Sequence, residues 1–289
     1  MSAELAAVAP GRRKLVARPA MWLVWGVVVF FFVNLAGVVF SVLVNSFSTE
    51  WFNGTWWPKG FTLEHWVNSW HMFGVYDVLK VTLEVSLSVV VIAALVGVPA
   101  AYVLARRQFP FKRLVMLVFL LPVMVPPIAY GIPLATVLYK YHLANSITGV
   151  IVANLVPAVP FVILTMTPFI EQIDPKVEAA ARMCGAKTYQ VFLRILMPLL
   201  VPGILAAAVL VLVRTVGMFE LTYLVAGTDS ETLVVALFNS MSAAGIRPQQ
   251  QTDAMAVIYM ATMLVLLVIA LRFVNPTQLV TRVAEERES

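Results

Sequence analysis

Residues 171–198 read EQIDPKVEAAARMCGAKTYQVFLRILMP, and they lie between two long apolar runs, Leu143 to Ile170 and Leu199 to Ala226. The stretch is longer than a turn requires and is patterned as structure. Asp174 is a good N-cap and Pro175 suits the first position of a helix, so a helix is predicted to start there. Val177 to Met183 is built from good helix formers, with Glu178 and Arg182 at the i, i+4 spacing of a favourable pair. Gly185 supplies a stop. Thr188 is then placed to cap a second short helix carrying Tyr189, Phe192, Leu193 and Ile195, before Pro198 leads into the next apolar run. The expected unit is helix, tight turn, helix, held between two apolar segments. In that unit the lone Cys184 is expected to be a small buried residue rather than a reactive thiol.

The flanking runs are two of several. Hydrophobic residues make up 61% of the 289-residue chain and charged residues 12%, against about 45–50% and about 25% in ordinary globular proteins. That much apolar surface requires lipid, which excludes a soluble protein. One cysteine excludes a disulfide scaffold, and 14 glycines exclude a collagen-like repeat. Stretches of about 18 or more apolar residues occur at Met21–Asn45, Val81–Ala105, Leu114–Tyr139, Leu143–Ile170, Leu199–Ala226 and Ala254–Leu271. The predicted fold class is therefore all-α: a polytopic membrane protein with six transmembrane helices. The first run is too long for a signal-peptide core and is expected to stay as an anchor. Pro122, Pro126, Pro127 and Pro133 in the third run, and Pro157, Pro160 and Pro168 in the fourth, predict bent helices.

Orientation follows from the positions of Lys and Arg. Fifteen of the twenty fall in the amino-terminal arm (Arg12, Arg13, Lys14, Arg18), in 106–113, in 171–198 and in the tail (Arg272, Arg282, Arg287). The alternate connections have only Lys59, Lys80, Lys140 and Arg247. Both termini and the 171–198 loop are thus expected to be cytoplasmic. The division expected is an arm over 1–20, a first span over 21–45, an extracytoplasmic connection over 46–78, a transmembrane domain over 79–275 and a tail over 276–289. Trp22, Trp25, Trp51, Trp56, Trp57, Trp66 and Trp70 all fall at expected water–lipid boundaries, where indoles prefer to sit, with packing in a loop core the equal alternative for Trp66 and Trp70.

The 171–198 stretch resembles the "EAA loop" of bacterial ABC importer membrane subunits, in which a Glu-Ala-Ala triplet precedes a glycine and, nine residues later, an Ile-x-Leu-Pro ending. Here Glu178, Ala179 and Ala180 precede Gly185, nine residues separate Gly185 from Ile195, and Pro198 closes the pattern. Two departures stand out: the usual glutamate position, counted back from Gly185, holds Ala179, and Met197 replaces the leucine. The resemblance covers roughly residues 75 to 275. It implies a coupling helix docking on a cytoplasmic ATP-binding subunit, with Glu178, Ala179, Ala180, Arg182, Gly185, Ala186 and Lys187 at the contact. It also implies two such ATPase subunits, a second permease subunit alike or different, and an extracytoplasmic solute-binding protein, in a bacterial inner membrane and without nucleic acid. The run 217–227 (GMFELTYLVAG) and the following TLVVALFNSM look more like the spermidine/putrescine and related iron, phosphonate or opine permeases than the sugar permeases, which carry a Trp-Asn-Asp run. A polyamine, an opine or another small organic solute is the expected cargo, with a sugar as the alternative.

The chain itself shows no chemistry of an enzyme. It has no G-x-x-x-x-G-K-[ST] loop to cradle ATP, and His65, His71 and His142 form no metal-binding pattern. No cofactor is expected. A secondary transporter or channel is the other class to weigh; the sequence lacks the internal repeats that would favour it. Ionisable groups within spans point to a pathway, because a charge at mid-bilayer costs about 2.5–3.5 kcal/mol on insertion scales. Arg214 is expected about halfway along the fifth span, Glu220 two turns nearer the outer side, and Glu84 at the outer end of the second. On one continuous helix, six residues turn roughly 240°, so Arg214 and Glu220 should not share a face. Glu84, Arg214 and Glu220 are expected to border the substrate path or to serve as an interhelical ion pair.

Overall fold

A computed structural model describes residues 18–51, 55–242 and 248–273. The basic residues expected in the arm before Arg18 and in the tail after Arg272, together with Arg247, lie outside them. Among the described residues the regular structure is all helical: α1 (Arg18–Phe47), α2 (Glu64–Met72), α3 (Val75–Arg106), α4 (Lys112–Met124), α5 (Pro127–Lys140), α6 (Ile147–Glu171), α7 (Pro175–Met183), α8 (Thr188–Val191), α9 (Met197–Val216), α10 (Glu220–Val225), α11 (Leu233–Ser242) and α12 (Gln249–Phe273). The junctions rich in Lys and Arg, at the ends of α3 and α6 and around α7, gather at one end of the bundle, the basic end.

Five described helices are long and apolar enough to cross a membrane: α1, α3, α6, the continuous rod of α8 and α9, and α12. The expected third span is not one rod. It is split into α4 and α5, which meet at 98°, and counting the bent pair as one span brings the number to six. The cause is local. Val125 and Pro126 both adopt extended backbone, with ψ of 135° and 132°, because each precedes a proline that clashes with a helical neighbour. Pro157, Pro160 and Pro168, spaced through α6, leave that helix unbroken.

The core is built on α3, α6 and α9. Val85, Val89, Ala93, Gly97, Ala101 and Leu104 of α3 are all buried, and their three- and four-residue spacing lays them along one face. Ala93, Gly97 and Ala101 form a small-residue row that brings the backbones of α3 and α6 together. At Gly97 a Cβ would stand 2.7 Å from Val162 Cγ1 and 2.8 Å from Val162 Cβ, so only glycine allows this approach. By contrast, α1 is exposed from Met21 to Phe40. It is attached near its far end, where Asn45 Nδ2 donates to Asp253 of α12 and Ser48 Oγ donates to Asn45 Oδ1.

Two expectations about the fifth span are corrected. The second helix of the 171–198 unit is not a separate short piece, since α8 runs through a π-turn (Phe192–Leu196) directly into α9. Pro198 has no N–H to offer the helical ladder, and Met197 N–H bonds to Phe192 O in the wider register. At the other end the expected Leu199–Ala226 rod stops at Val216 and resumes as the short α10 at Glu220. Arg214 therefore sits in the last turn of α9 rather than halfway along a span, and the 240° argument, which assumed one helix, does not apply to Glu220.

Candidate functional site: an elbow at the basic end and a small cavity in the bundle

The elbow forms as its local signals demand. Asp174 Oδ1 accepts from Lys176 N–H at 2.9 Å, and Pro175 opens α7. At the other end Gly185 takes φ of +83°. Its N–H bonds to Arg182 O at 2.9 Å while Ala186 N–H bonds to Ala181 O at 3.1 Å. That pair of bonds is a Schellman closure, which needs a left-handed residue at the glycine position. Thr188 is not the cap of α8. Lys187 holds that position, and its N–H donates to Gln190 Oε1 at 2.8 Å.

The two faces of α7 differ. Ala179, Ala180, Arg182, Met183, Gly185 and Lys187 are exposed and Ala186 is half-buried; Met183 is 88% exposed. Cys184 is exposed as well, contrary to the expectation that it would be buried. Glu178 is turned the other way and is 4% exposed. Its Oε1 meets Arg106 Nε at 2.6 Å, and its Oε2 accepts from Tyr102 OH at 2.9 Å. The expected partner Arg182 is present at 3.4 Å, but on a side chain that is half exposed, so it is the weakest of the three. Arg106 also donates through Nη2 to Ile173 O at 2.6 Å. Glu178 is therefore not a charge offered on the outward face, because its carboxylate is consumed inside the fold.

The intramembrane groups lie elsewhere in the bundle. A cavity with room for about one water molecule is lined by Asn154, Pro157 and Ala158 of α6 and by Arg214 and Thr215 of α9, with Met218 just beyond. The Arg214 guanidinium lies over the Phe161 ring, 5.5 Å from its centroid, an arrangement that attracts a cation electrostatically. Asn154 Nδ2 donates to Val150 O at 2.9 Å and to Thr222 Oγ1 at 3.3 Å, while its Oδ1 is buried without a partner. The Tyr130 hydroxyl of α5 is likewise buried and unpartnered, next to Gly131, whose backbone packs against Leu221 and Leu224 of α10. Arg214 ends α9 and Glu220 opens α10, on either side of the break at 217–219. Glu84 is exposed on α3, and among the described residues none of the three belongs to an ion pair. Sequence reading missed Tyr102, Arg106, Tyr130, Asn154 and Phe161. Arg106 was counted only for orientation, and Asn154, an asparagine well inside the fourth apolar run, was the signal available for the cavity.

Apolar rods long enough to cross a bilayer, a broken third span and a folded elbow between two spans define a polytopic helical membrane protein, and the elbow falls on the stretch that resembles the loop of ABC-importer permeases. The model for the family described as "binding-protein-dependent transport system inner membrane component" matches residues 93–279, more than half of the chain, and this protein belongs to that family. It is 30% identical to the molybdate/tungstate transport system permease protein of Thermococcus kodakarensis over 64% of this chain and 76% of the relative. It is 36% identical to the trehalose transport system permease protein of Mycobacterium tuberculosis over 46% of this chain and 48% of the relative. The matched stretches therefore span about half to three quarters of these relatives' lengths. A crystal structure of a bacterial ABC transporter that imports alginate superposes with a TM-score of 0.70 at 19% identity, covering 91% of this chain and 98% of the other. That likeness concerns the fold.

Proposed function

We propose that this chain is the membrane-spanning permease subunit of a binding-protein-dependent ABC importer in a bacterial inner membrane, with both termini and the elbow on the cytoplasmic side. The positive-inside distribution of Lys and Arg supports that orientation. The elbow carries the reading: a rigidly closed helix, Pro175–Met183, stands between two spans with an outward face of Ala179, Ala180, Met183 and Lys187. Small residues admit a close partner surface, Met183 supplies an adaptable apolar knob, and Arg182 and Lys187 fix register by charge. The occupant of that face is an ATP-binding subunit, one of two in the assembly. The permease is not itself the enzyme, since hydrolysis belongs to that partner. A second permease subunit completes the pathway, and a solute-binding protein delivers cargo to the connections at 46–78 and 227–252.

Arg214 and Glu220, with Glu84 nearer the outer end, border the route of a small polar solute. The unpartnered Asn154 Oδ1 and Tyr130 hydroxyl support this, because buried polar atoms without partners are rare and mark places where something else completes the hydrogen bonding. Cysteine at Ala180 in a Cys184→Ser background is expected to crosslink to the ATP-binding subunit in the assembled complex. Purification of the chain from its native membrane with no such subunit, and no crosslink, would overturn the reading in favour of an ATPase-independent transporter. Glu220→Gln is expected to impair uptake while leaving the crosslink intact, and normal uptake would remove Glu220 from the route.

A further inference from the structure

The outward face of α7 receives a partner's motion, and the inward face decides where that motion goes. We propose that Tyr102, Arg106 and Glu178 form a polar clasp that makes α7 and the basic end of α3 a single rigid body. A push on the elbow is thereby delivered to α3 instead of being absorbed in the short links around α7. The proposal rests on the reading of the elbow as the docking point of an ATP-binding subunit.

Four observations carry it. Glu178 is the one residue of α7 that is buried, so no apolar core of its own fixes this helix to the bundle. Both carboxylate oxygens are engaged by α3, at 2.6 Å from Arg106 Nε and 2.9 Å from Tyr102 OH, as a charge with 5% side-chain exposure requires. Arg106 grips the elbow twice, through Glu178 and through Ile173 O at 2.6 Å; two points on either side of the α7 start fix rotation as well as position. Lastly, α3 is packed along α6 and α9 in the main core, with its backbone against Val162 at Gly97, so a displacement of its end moves the central spans. The double grip needs the fork of a guanidinium, which lysine lacks.

The test uses the complete transporter with Cys184→Ser, carrying spin labels on cysteines at Ala180 and at Gln108, which is exposed just beyond α3. The separation is read by dipolar EPR without nucleotide and with MgATP plus vanadate. A rigid clasp gives one narrow separation, the same in both states. Glu178→Gln and Arg106→Lys are expected to broaden it without nucleotide and to shift it when nucleotide binds. Tyr102→Phe, which removes one hydroxyl and spares the fold, is expected to give an intermediate broadening. Separations in the variants that match wild type in both states, or a wild-type separation that itself shifts with nucleotide, would overturn the clasp. Failure of Ala180 to crosslink to an ATP-binding subunit in the wild type would instead refute the docking reading, and the nucleotide-free separations would still decide the clasp.

Discussion

Gly97→Ala is the most direct probe of the α3–α6 contact. The added Cβ would lie 2.7 Å from Val162 Cγ1 and 2.8 Å from Val162 Cβ, whereas carbons in good contact sit about 3.5–4.0 Å apart. The helices must therefore separate by about 1 Å, or Val162 must leave its position on a helix whose neighbours Ala158 and Met166 are also buried. Overpacking of this kind costs about 1–3 kcal/mol. Val162→Ala removes Cγ1, the nearer of the two atoms in the way, and keeps Cβ, so the double variant should recover part of the loss. The coupling between the two sites is then about 1 kcal/mol or more, within the range for residues in contact. Unfolding of the purified protein in mixed micelles by titrated SDS, followed by circular dichroism, measures all four corners of the cycle. A Gly97→Ala protein as stable as wild type within about 0.5 kcal/mol, or a double variant no better than the sum of the singles, would show that α3 and α6 do not meet as described.

Two further outcomes are expected. Cys184 is exposed at the basic end, so a membrane-impermeant maleimide should label it in inverted vesicles and not in sealed right-side-out ones; the reverse pattern would invert the proposed topology. At Gly185 nothing lies within 4 Å of an added Cβ, but φ is +83°, so the penalty is conformational. Alanine there should cost about 1–2 kcal/mol, opening the Ala186 amide to hydrogen exchange about five- to thirtyfold faster. Asparagine, which tolerates this backbone region, should cost less, and equal rates for the two variants would refute the assignment of the Schellman closure.

The elbow was legible because its signals are local. A cap at Asp174, a proline at the first position and a glycine stop act within a few residues of where they stand. The direction of Glu178 was not legible, because its partner Arg106 lies 72 residues upstream and only packing brings the two together. The spans were found by apolar length, a measure blind to interruptions that stay apolar. Val125 and Pro126 break the third span inside an uncharged run, and the Gly217–Phe219 gap separates Arg214 from Glu220 without lowering hydropathy. The doubled proline was visible, yet five other prolines in the third and fourth spans leave their helices continuous, so proline alone did not say where the chain would turn. Cys184 was misjudged because its neighbour Gly185, read as a stop, places the turn on the surface.

The attachment of α1 has a mechanical consequence. No residue of α1 enters the apolar clusters formed by the described residues; the helix lies against α12, and its end is pinned by Asn45 to Asp253 and by the stack of Phe47 on Trp66. It is a rod moored to α12 rather than a pillar of the core: the bundle of α3, α6 and α9 can rock without carrying α1 through its own packing. Cutting that mooring would free one outlying rod without opening a hole in the machine.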